Sequence, residues 1–422
     1  MTARAQVRAV FYCSLKMEPL RCKHFGTCGG CSFLNTPYRE QLLQKQSAVE
    51  RAFAKHPELK NVRVRSIAAP ENPYFYRNRL LYPLAILKGR VAGGFFKKGT
   101  HELVDVEECK IQDPSITEIA SGVKKIIESL QIPIRPLPGV VSDSVIDKQT
   151  NRAAARAITV RVAQTTGEAL VGIVTTAGLF PEGKEFAERV SRLAHLLKTT
   201  LNKTVRIIGV ARNINDTETN VVLGSRSLPL LGRDYITERL GGFEYQISLE
   251  SFFQPNAIFA KRAVDDIVRR VAAAEHVIDI YAGGGFITIP LSQKAKRVDA
   301  IEEAGTSVRD GRRNAAKNRR ANITFSEGDA ADILIRLRGQ KIDLATVDPP
   351  RGGFDTRSLT ALVELDPERI AYLSCSEVSL ARDLAAICKN YQIEEVRPYD
   401  FLPHTEHIEL LAFAKRRAGA SG

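Results

Sequence analysis

The stretch VIDIYAGGG (Val277 to Gly285) decides the fold. An apolar, β-branched run that ends in three glycines reads as a strand stopping in a tight turn that opens a helix over 286–295. Glycines at that point let the backbone pass close to a ligand with no Cβ in the way. The rhythm then repeats. RVDAIE (297–302) reads as a strand, 306–318 as a helix and ITFSEG (323–328) as a strand. LATVDPP (344–350) and IAYLSC (370–375) read as two more strands, and 379–389 as a helix. Such alternation implies a parallel sheet covered by helices on both faces, a doubly wound, Rossmann-like α/β domain.

Ligands of such sheets sit beyond the carboxyl ends of the strands. Gly283 and Gly285 close the first strand and Glu302 the second, where an acidic side chain can accept hydrogen bonds from ribose hydroxyls. Thr288 stands where a dinucleotide fingerprint has its third glycine, which points to a ligand without a pyrophosphate, such as S-adenosylmethionine. Asp329 closes a third strand, within reach of an adenine edge. Asp348, stiffened by two following prolines, closes a fourth and can accept from a ring N–H. The plainer alternatives are a tight turn, a surface glutamate and a proline-rich corner.

Cys375 ends the next strand and faces the same crevice; Cys388, inside a helix, reads as a small buried hydrophobe. FLPHTEHIE (Phe401 to Glu409) gathers His404, Glu406, His407 and Glu409. As a strand it puts His407 and Glu409 on one face. A carboxylate acting as general base fits this segment better than a metal site. A cysteine, a base and a group holding a ring edge suit one reaction. A thiolate adds to C6 of uracil, C5 then attacks a sulfonium methyl, and loss of the C5 proton frees the thiol. Cys375, Glu409 and Asp348 fill those places.

The first half differs in texture. Residues 38–53 have helical spacing, and NRLLYPLAIL, VAGGFF and HELVDV within 74–106 are β-like. Residues 115–129 and 181–197 read as helices, and 155–162, 169–175 and 205–210 as strands, which makes an α+β domain. A boundary or hinge is expected near 240–243. Cys22-x5-Cys28-x2-Cys31, with glycines between, is a tight ligand spacing. Thiolates so placed suit a zinc ion or an iron–sulfur cluster, and the spacing leaves both open.

The chain of 422 residues carries a formal net charge of +13, which suits a partner rich in phosphate or, more plainly, a basic enzyme surface. No run approaches the roughly 18–20 apolar residues of a membrane span. No leader pattern is apparent, so cytoplasmic residence is expected. Arg77, Arg79, Lys97, Lys98 and His101 read as phosphate contacts or as a solvated basic face.

From Arg21 onward the chain resembles the class I S-adenosylmethionine-dependent RNA uracil-C5 methyltransferases that act on 23S rRNA or tRNA. SFFQPN (Ser251 to Asn256) is similar to that family's S-F-F-Q-x-N, and DIYAGGG to its D-x-Y-C-G-x-G, with Ala282 in place of Cys. DPPRGG is similar to D-P-P-R-x-G, and LPHTEHIE to F-P-H-T-x-H-x-E. LSCSEVSLARD is similar to V-S-C-N-P-x-T-L-A-R-D, with Ser376-Glu377 in place of Asn-Pro; Phe286 stands where Thr or Asn is frequent. The resemblance implies a methyl donor held by Gln254, Tyr281, Gly283, Gly285, Glu302, Asp329 and Asp348. It implies a uracil held by Asp348 and Phe252, the nucleophile Cys375 and the base Glu409. C-x5-C-G-G-C with a distant cysteine implies a [4Fe–4S] cluster on Cys22, Cys28, Cys31 and Cys109.

The expected organisation is therefore an N-terminal extension (1–21), a cluster-bearing, RNA-binding central α+β domain (22–240) and a methyltransferase domain (241–422). The extension is too short for the small RNA-binding barrel that many members carry, and Met17 is a possible start. By that analogy rRNA, most simply 23S rRNA, is expected ahead of tRNA. No membrane or obligate protein partner is expected, and the default is a monomer.

Overall fold

The computed structural model describes residues 20–143, 151–194 and 196–418. Cys13 and both methionines, and with them the choice of start, lie outside the described residues. The first element is helix α1 (Tyr38–Ala54), which buries Leu42, Val49 and Phe53 on one stripe.

The first sheet contains β1 (Arg79–Leu87), β2 (Arg90–Phe96), β3 (Leu103–Asp105), β4 (Ala155–Val162), β5 (Glu168–Thr175), β6 (Arg206–Ile214) and β7 (Arg226–Gly232). Their order is β3-β2-β1-β4-β5-β6-β7, antiparallel except for β5 against β6. β4 and β5 are buried along their whole lengths, as central strands should be. Helix α2 (Pro114–Ser129) starts on Asp113, whose side chain accepts the Ser115 N–H, with Pro114 in the first turn. It shares a core with α3 (Gly183–Ser191) and the strands beneath.

The expected hinge at 240–243 is instead a hairpin. β8 (Tyr235–Leu240) pairs with β9 (Phe243–Ser248), Leu240 opposite Phe243. Gly241 and Gly242 both have positive φ, as a type I′ turn requires. The N–H groups of Glu244, Gln246 and Ser248, every second residue of β9, are accepted by Asn318, Asn314 and Asp310. The last three sit at intervals of four along a later helix, so a helical row caps a strand edge.

Helix α4 (Ala257–Arg270) leads into the second sheet: β10 (Ala274–Ile280), β11 (Ala295–Glu302), β12 (Ile323–Glu327), β13 (Leu344–Val347), β14 (Arg369–Ser374), β15 (Tyr391–Tyr399) and β16 (Glu409–Arg416). Their order is β12-β11-β10-β13-β14-β16-β15. The first five are parallel, and β16 runs antiparallel to both β14 and β15. Helices α5 (Thr288–Leu291), α6 (Gly305–Lys317), α7 (Ala330–Arg336), α8 (Thr356–Leu365) and α9 (Glu377–Ile387) connect the strands. The helix after the glycine turn is only α5, much shorter than 286–295: Pro290 has no N–H to give to Phe286, which delays its start, and β11 already begins at Ala295.

Helix α1 does not join the first sheet. Leu42, Val49 and Phe53 enter a core with Leu380, Leu384 and Tyr391 of the second half. Val64 and Ala68 bridge Val396 and Tyr399, lengthening the second sheet at its β15 edge. Residues 38–68 thus pack with the methyltransferase-like half and not with the central half assigned to 22–240. Among the described residues no helix is long and apolar enough to cross a membrane.

Candidate active site

The strand order reverses between β10 and β13, so the crevice lies above their carboxyl ends. β10 is followed by Tyr281, whose φ of 62° is a left-handed conformation that a bulky residue adopts only under constraint. Gly283 and Gly285 follow at φ 55° and 90°. Beneath the turn lies Asp279, fully buried. It accepts from Thr288 Oγ1 at 2.5 Å and from Thr346 Oγ1 at 2.6 Å, and burial still pushes it up to about 6. Thr288, read from sequence only as a missing glycine, thus anchors the turn. The Gly283 N–H donates to Glu302 Oε2 at 2.8 Å, and the Ala304 N–H to the other oxygen at 2.8 Å.

Asp329 caps α7 through the Asp332 N–H at 3.0 Å and lies 3.4 Å from Arg357. Oδ1 makes both contacts. Phe286 packs edge-on against Phe253 and near Tyr245, an aromatic cluster that gives the unusual residue its own niche.

The SFFQPN segment is held by the first sheet. Asn78 Nδ2 donates to the Gln254 carbonyl at 3.0 Å, and the Asn78 N–H to that of Pro255 at 3.0 Å. Arg161 donates to the Ser251 carbonyl at 2.6 Å and Arg79 to that of Leu249 at 3.2 Å. Arg79, read as a phosphate contact, is therefore turned inward. Lys97 and Lys98 pair with Glu102 and Glu406. Gln254 is buried, while Phe252 is 57 % exposed beside it.

Asp348 follows β13, with its N–H on the Ile280 carbonyl at 3.2 Å. Burial and then the charges of Asp279 and Glu302 push it up to about 7. Its loop is tied down by α9. Ser379 Oγ donates to the Arg351 carbonyl at 2.9 Å, Arg382 to that of Gly352 at 2.9 Å, and the Phe354 N–H reaches Asp383 at 3.0 Å. These three residues were missed as site residues, although the SLARD run that carries them was already in view. Ser376 caps α9 through the Ser379 N–H, so the departure from Asn-Pro keeps a capped helix start.

Ser374 of β14 pairs with Leu410 of β16, so Cys375 and Glu409 are the adjoining residues at the ends of two paired strands. Burial, then the charges of Glu409 and Asp348, push the Cys375 thiol up to about 11. Burial and then Asp348 hold Glu409 well above the usual carboxylate range. His407 lies in the loop before β16 and does not share a strand face with Glu409. His404 and Glu406 turn to Gln41 and Lys98, away from a common centre.

Cys22, Cys28, Cys31 and Cys109 line one small cavity with Phe25, Leu34 and Phe95. Burial is the main cause that lifts the Cys28, Cys31 and Cys109 thiols, Cys31 up to about 12. Among the described residues no three His, Cys, Asp or Glu side chains stand close enough to hold one metal ion. The donor set is all thiol around an apolar hollow. Thiolates so grouped are the donors that an iron–sulfur cluster or a zinc ion takes.

Sheet order, glycine turn and strand-end acids together define the fold of S-adenosylmethionine-dependent methyltransferases. Residues 210–417 match the tRNA (uracil-5-)-methyltransferase family model. An RNA methyltransferase of Bacillus cereus is 31% identical over 399 residues, 93% of this chain and 82% of the relative. One of Clostridium acetobutylicum is 31% identical over 408 residues, 95% of this chain and 84% of the relative. The crystal structure of Pyrococcus abyssi tRNA (uracil-54, C5)-methyltransferase in complex with S-adenosyl-L-homocysteine is similar with a TM-score of 0.70. Identity is 25%, covering 92% of this chain and 86% of that one. The chain belongs to the tRNA (uracil-5-)-methyltransferase family and is an S-adenosylmethionine-dependent RNA methyltransferase.

Proposed function

We propose that the protein methylates C5 of a uridine in RNA through a covalent bond to Cys375. The observation that carries this reading is the adjacency of Cys375, Glu409 and Asp348 at the ends of β14, β16 and β13. The Cys375 thiol first gives its proton to water, a loss that the positive sulfonium of the donor favours. The thiolate forms an S–C6 bond, and the C5=C6 pair moves so that C5 attacks the methyl. The sulfonium–methyl bond breaks, releasing S-adenosylhomocysteine. Glu409 takes the C5 proton, the freed pair restores C5=C6, and the S–C6 bond breaks to return the thiolate. Asp348 holds the ring edge, Phe252 covers the base, and Gln254, Tyr281, Gly283, Gly285, Glu302 and Asp329 hold the donor.

Cys22, Cys28, Cys31 and Cys109 are assigned to a [4Fe–4S] cluster in the central domain. When bound, it supplies four iron–thiolate bonds that tie the 22–31 loop to residue 109; the methyl transfer moves no electrons through it. Iron and sulfide analysis of anaerobically purified protein tests this, with loss of both expected in a C109S variant.

The target is taken to be 23S rRNA, the RNA expected first from the family resemblance. The likeness to the Pyrococcus abyssi enzyme favours tRNA as the second reading. Labelled donor with transcribed 23S rRNA and tRNA decides between them. Turnover is expected on rRNA and abolished by C375A; methylation of tRNA alone overturns the rRNA assignment. The covalent route fails if active protein never becomes cross-linked to 5-fluorouracil-bearing RNA.

A further inference from the structure

The loop that leads to Glu409 is pinned by side chains from the other end of the chain. Glu409 pairs with Tyr399 as the last rung of β15 on β16, so residues 400–408 form the connection that closes this hairpin beside the site. Lys45 of α1 donates to Asp400 Oδ1 at 2.6 Å and to the Leu402 carbonyl at 3.1 Å. Tyr38, also of α1, donates to Asp400 Oδ2 at 2.8 Å. Tyr76 donates its hydroxyl to the Pro403 carbonyl at 2.8 Å. Gln41 is engaged at both ends of its amide. Its Oε1 accepts the His404 N–H at 3.1 Å, and its Nε2 lies 3.0 Å from His404 Nδ1.

Exposure of Gln41, Lys45, Asp400 and His404 is at most 3 %, Tyr76 is also buried, and Tyr38 is partly buried. His404 itself has a φ of 64°, left-handed for a branched ring residue, with its ring stacked 4.6 Å from that of Tyr74. Backbone strain of this kind persists only where the surroundings over-determine it, and it gathers at functional sites. A core seeking only stability would fill this junction with apolar side chains, since a buried ion pair seldom outperforms them. What the polar anchors add is direction. Cys375 and Asp348 follow β14 and β13, outside the pinned segment, whereas Glu409 is the first residue of β16, into which that segment leads.

We infer that Gln41, Lys45 and Tyr76 are positioning residues for proton removal from C5, holding the 400–404 segment so that Glu409 meets the methylated ring. The inference rests on Glu409 being the base. Misplacement of a reacting group by an ångström or less slows its own step on the order of tenfold to a hundredfold. The affected step here is elimination, after methyl transfer.

The full-length protein is assayed in single turnover with uridine-containing RNA and labelled donor, and the covalent protein–RNA adduct is followed on denaturing gels. E409Q is the reference, expected to transfer the methyl and then accumulate adduct. Y76F, Q41M and K45M are expected to resolve the adduct at least about tenfold more slowly, with methyl transfer within about twofold of wild type and donor KM unchanged. Y76F removes one hydroxyl and keeps the ring, so it reports even if K45M fails to fold. If E409Q accumulates adduct while folded Y76F and Q41M resolve it at the wild-type rate, or slow both steps alike, the positioning role is overturned and the base assignment stands. If E409Q builds up no adduct, the base assignment and the positioning role fall together.

Discussion

Gly283 donates its N–H to a carboxylate oxygen of Glu302 at 2.8 Å, and the other oxygen of Glu302 accepts from Ala304 at 2.8 Å. Glu302 therefore shapes the glycine turn before any donor arrives, and its remaining lone pairs are what it can offer to ribose hydroxyls. Replacing it with glutamine turns one of these acceptors into an N–H facing another N–H. Charge-assisted hydrogen bonds are worth about 1.5–3 kcal/mol, so E302Q is expected to weaken S-adenosylmethionine binding roughly tenfold to a hundredfold. Calorimetric titration of donor into wild type and E302Q measures it. Equal affinities would mean the turn holds itself.

The thiol of Cys375 is pushed up to about 11, so in the free protein the thiolate is scarce at neutral pH. Alkylation by iodoacetamide, which requires the thiolate, is expected to be slow at pH 7 and to rise about tenfold per pH unit toward the thiol's own value. E409Q removes a charge that raises it, so the same curve should move to lower pH. A Cys375 that alkylates rapidly and equally at pH 6 and pH 8 would contradict the arrangement of acids around it.

Much of the methyltransferase half was legible because strands buried on both faces read as continuous apolar runs, and each ends in a residue the crevice uses. IAYLSC is β14 shifted by one residue, while VIDI and RVDAIE share the ends of β10 and β11 but begin three and two residues late. The pairing of Cys375 with Glu409 was not legible as geometry. It depends on β16 inserting antiparallel between β14 and β15, and no local pattern announces an insertion. The place of α1 was illegible for a related reason. Its apolar stripe shows that it packs, but not that the partner lies more than 300 residues away. The hairpin at 240–243 was readable and was misread. Gly241 and Gly242 between YITERL and FEYQIS are a type I′ turn signal, which outweighs the change of texture beside them.

Asp348 is pushed up to about 7 by burial and by its acidic neighbours Asp279 and Glu302. A carboxyl whose folded value is raised contributes stability that is complete below about 4, the unfolded value, and is lost as pH rises through about 7. D348N removes that liability along with the ring contact. Its melting temperature, measured without donor, is expected to exceed wild type by a few degrees at pH 8 and by little at pH 5. Saturating donor should narrow the difference at pH 8, because a nearby sulfonium favours the ionised acid. Activity of D348N should fall at every pH. A variant that melts below wild type at pH 8 would show that Asp348 is compensated by a partner other than the donor.

Lys45 and Asp400 form an ion pair at 2.6 Å with side chains 2 % and 0 % exposed, and burial raises the Asp400 carboxyl despite it. Removing one partner of such a pair leaves a charge with no return to water and costs about 3–5 kcal/mol, whereas replacing both with apolar groups is often close to neutral. K45M is therefore expected to melt well below wild type, and the K45M/D400L double variant to recover most of the loss. The deficit of K45M should also depend on pH. Without the ammonium the carboxyl rises further, so its protonated form is the tolerated one, and stability of the variant falls as pH climbs from 5 to 8 relative to wild type. Melting curves of the three proteins across that range provide the check. The hydroxyl of Tyr38, which still donates to Asp400 at 2.8 Å, sets the part of the cost that K45M does not expose. A double variant as unstable as K45M would mean that direction at Asp400, and not its charge, is what the helix supplies.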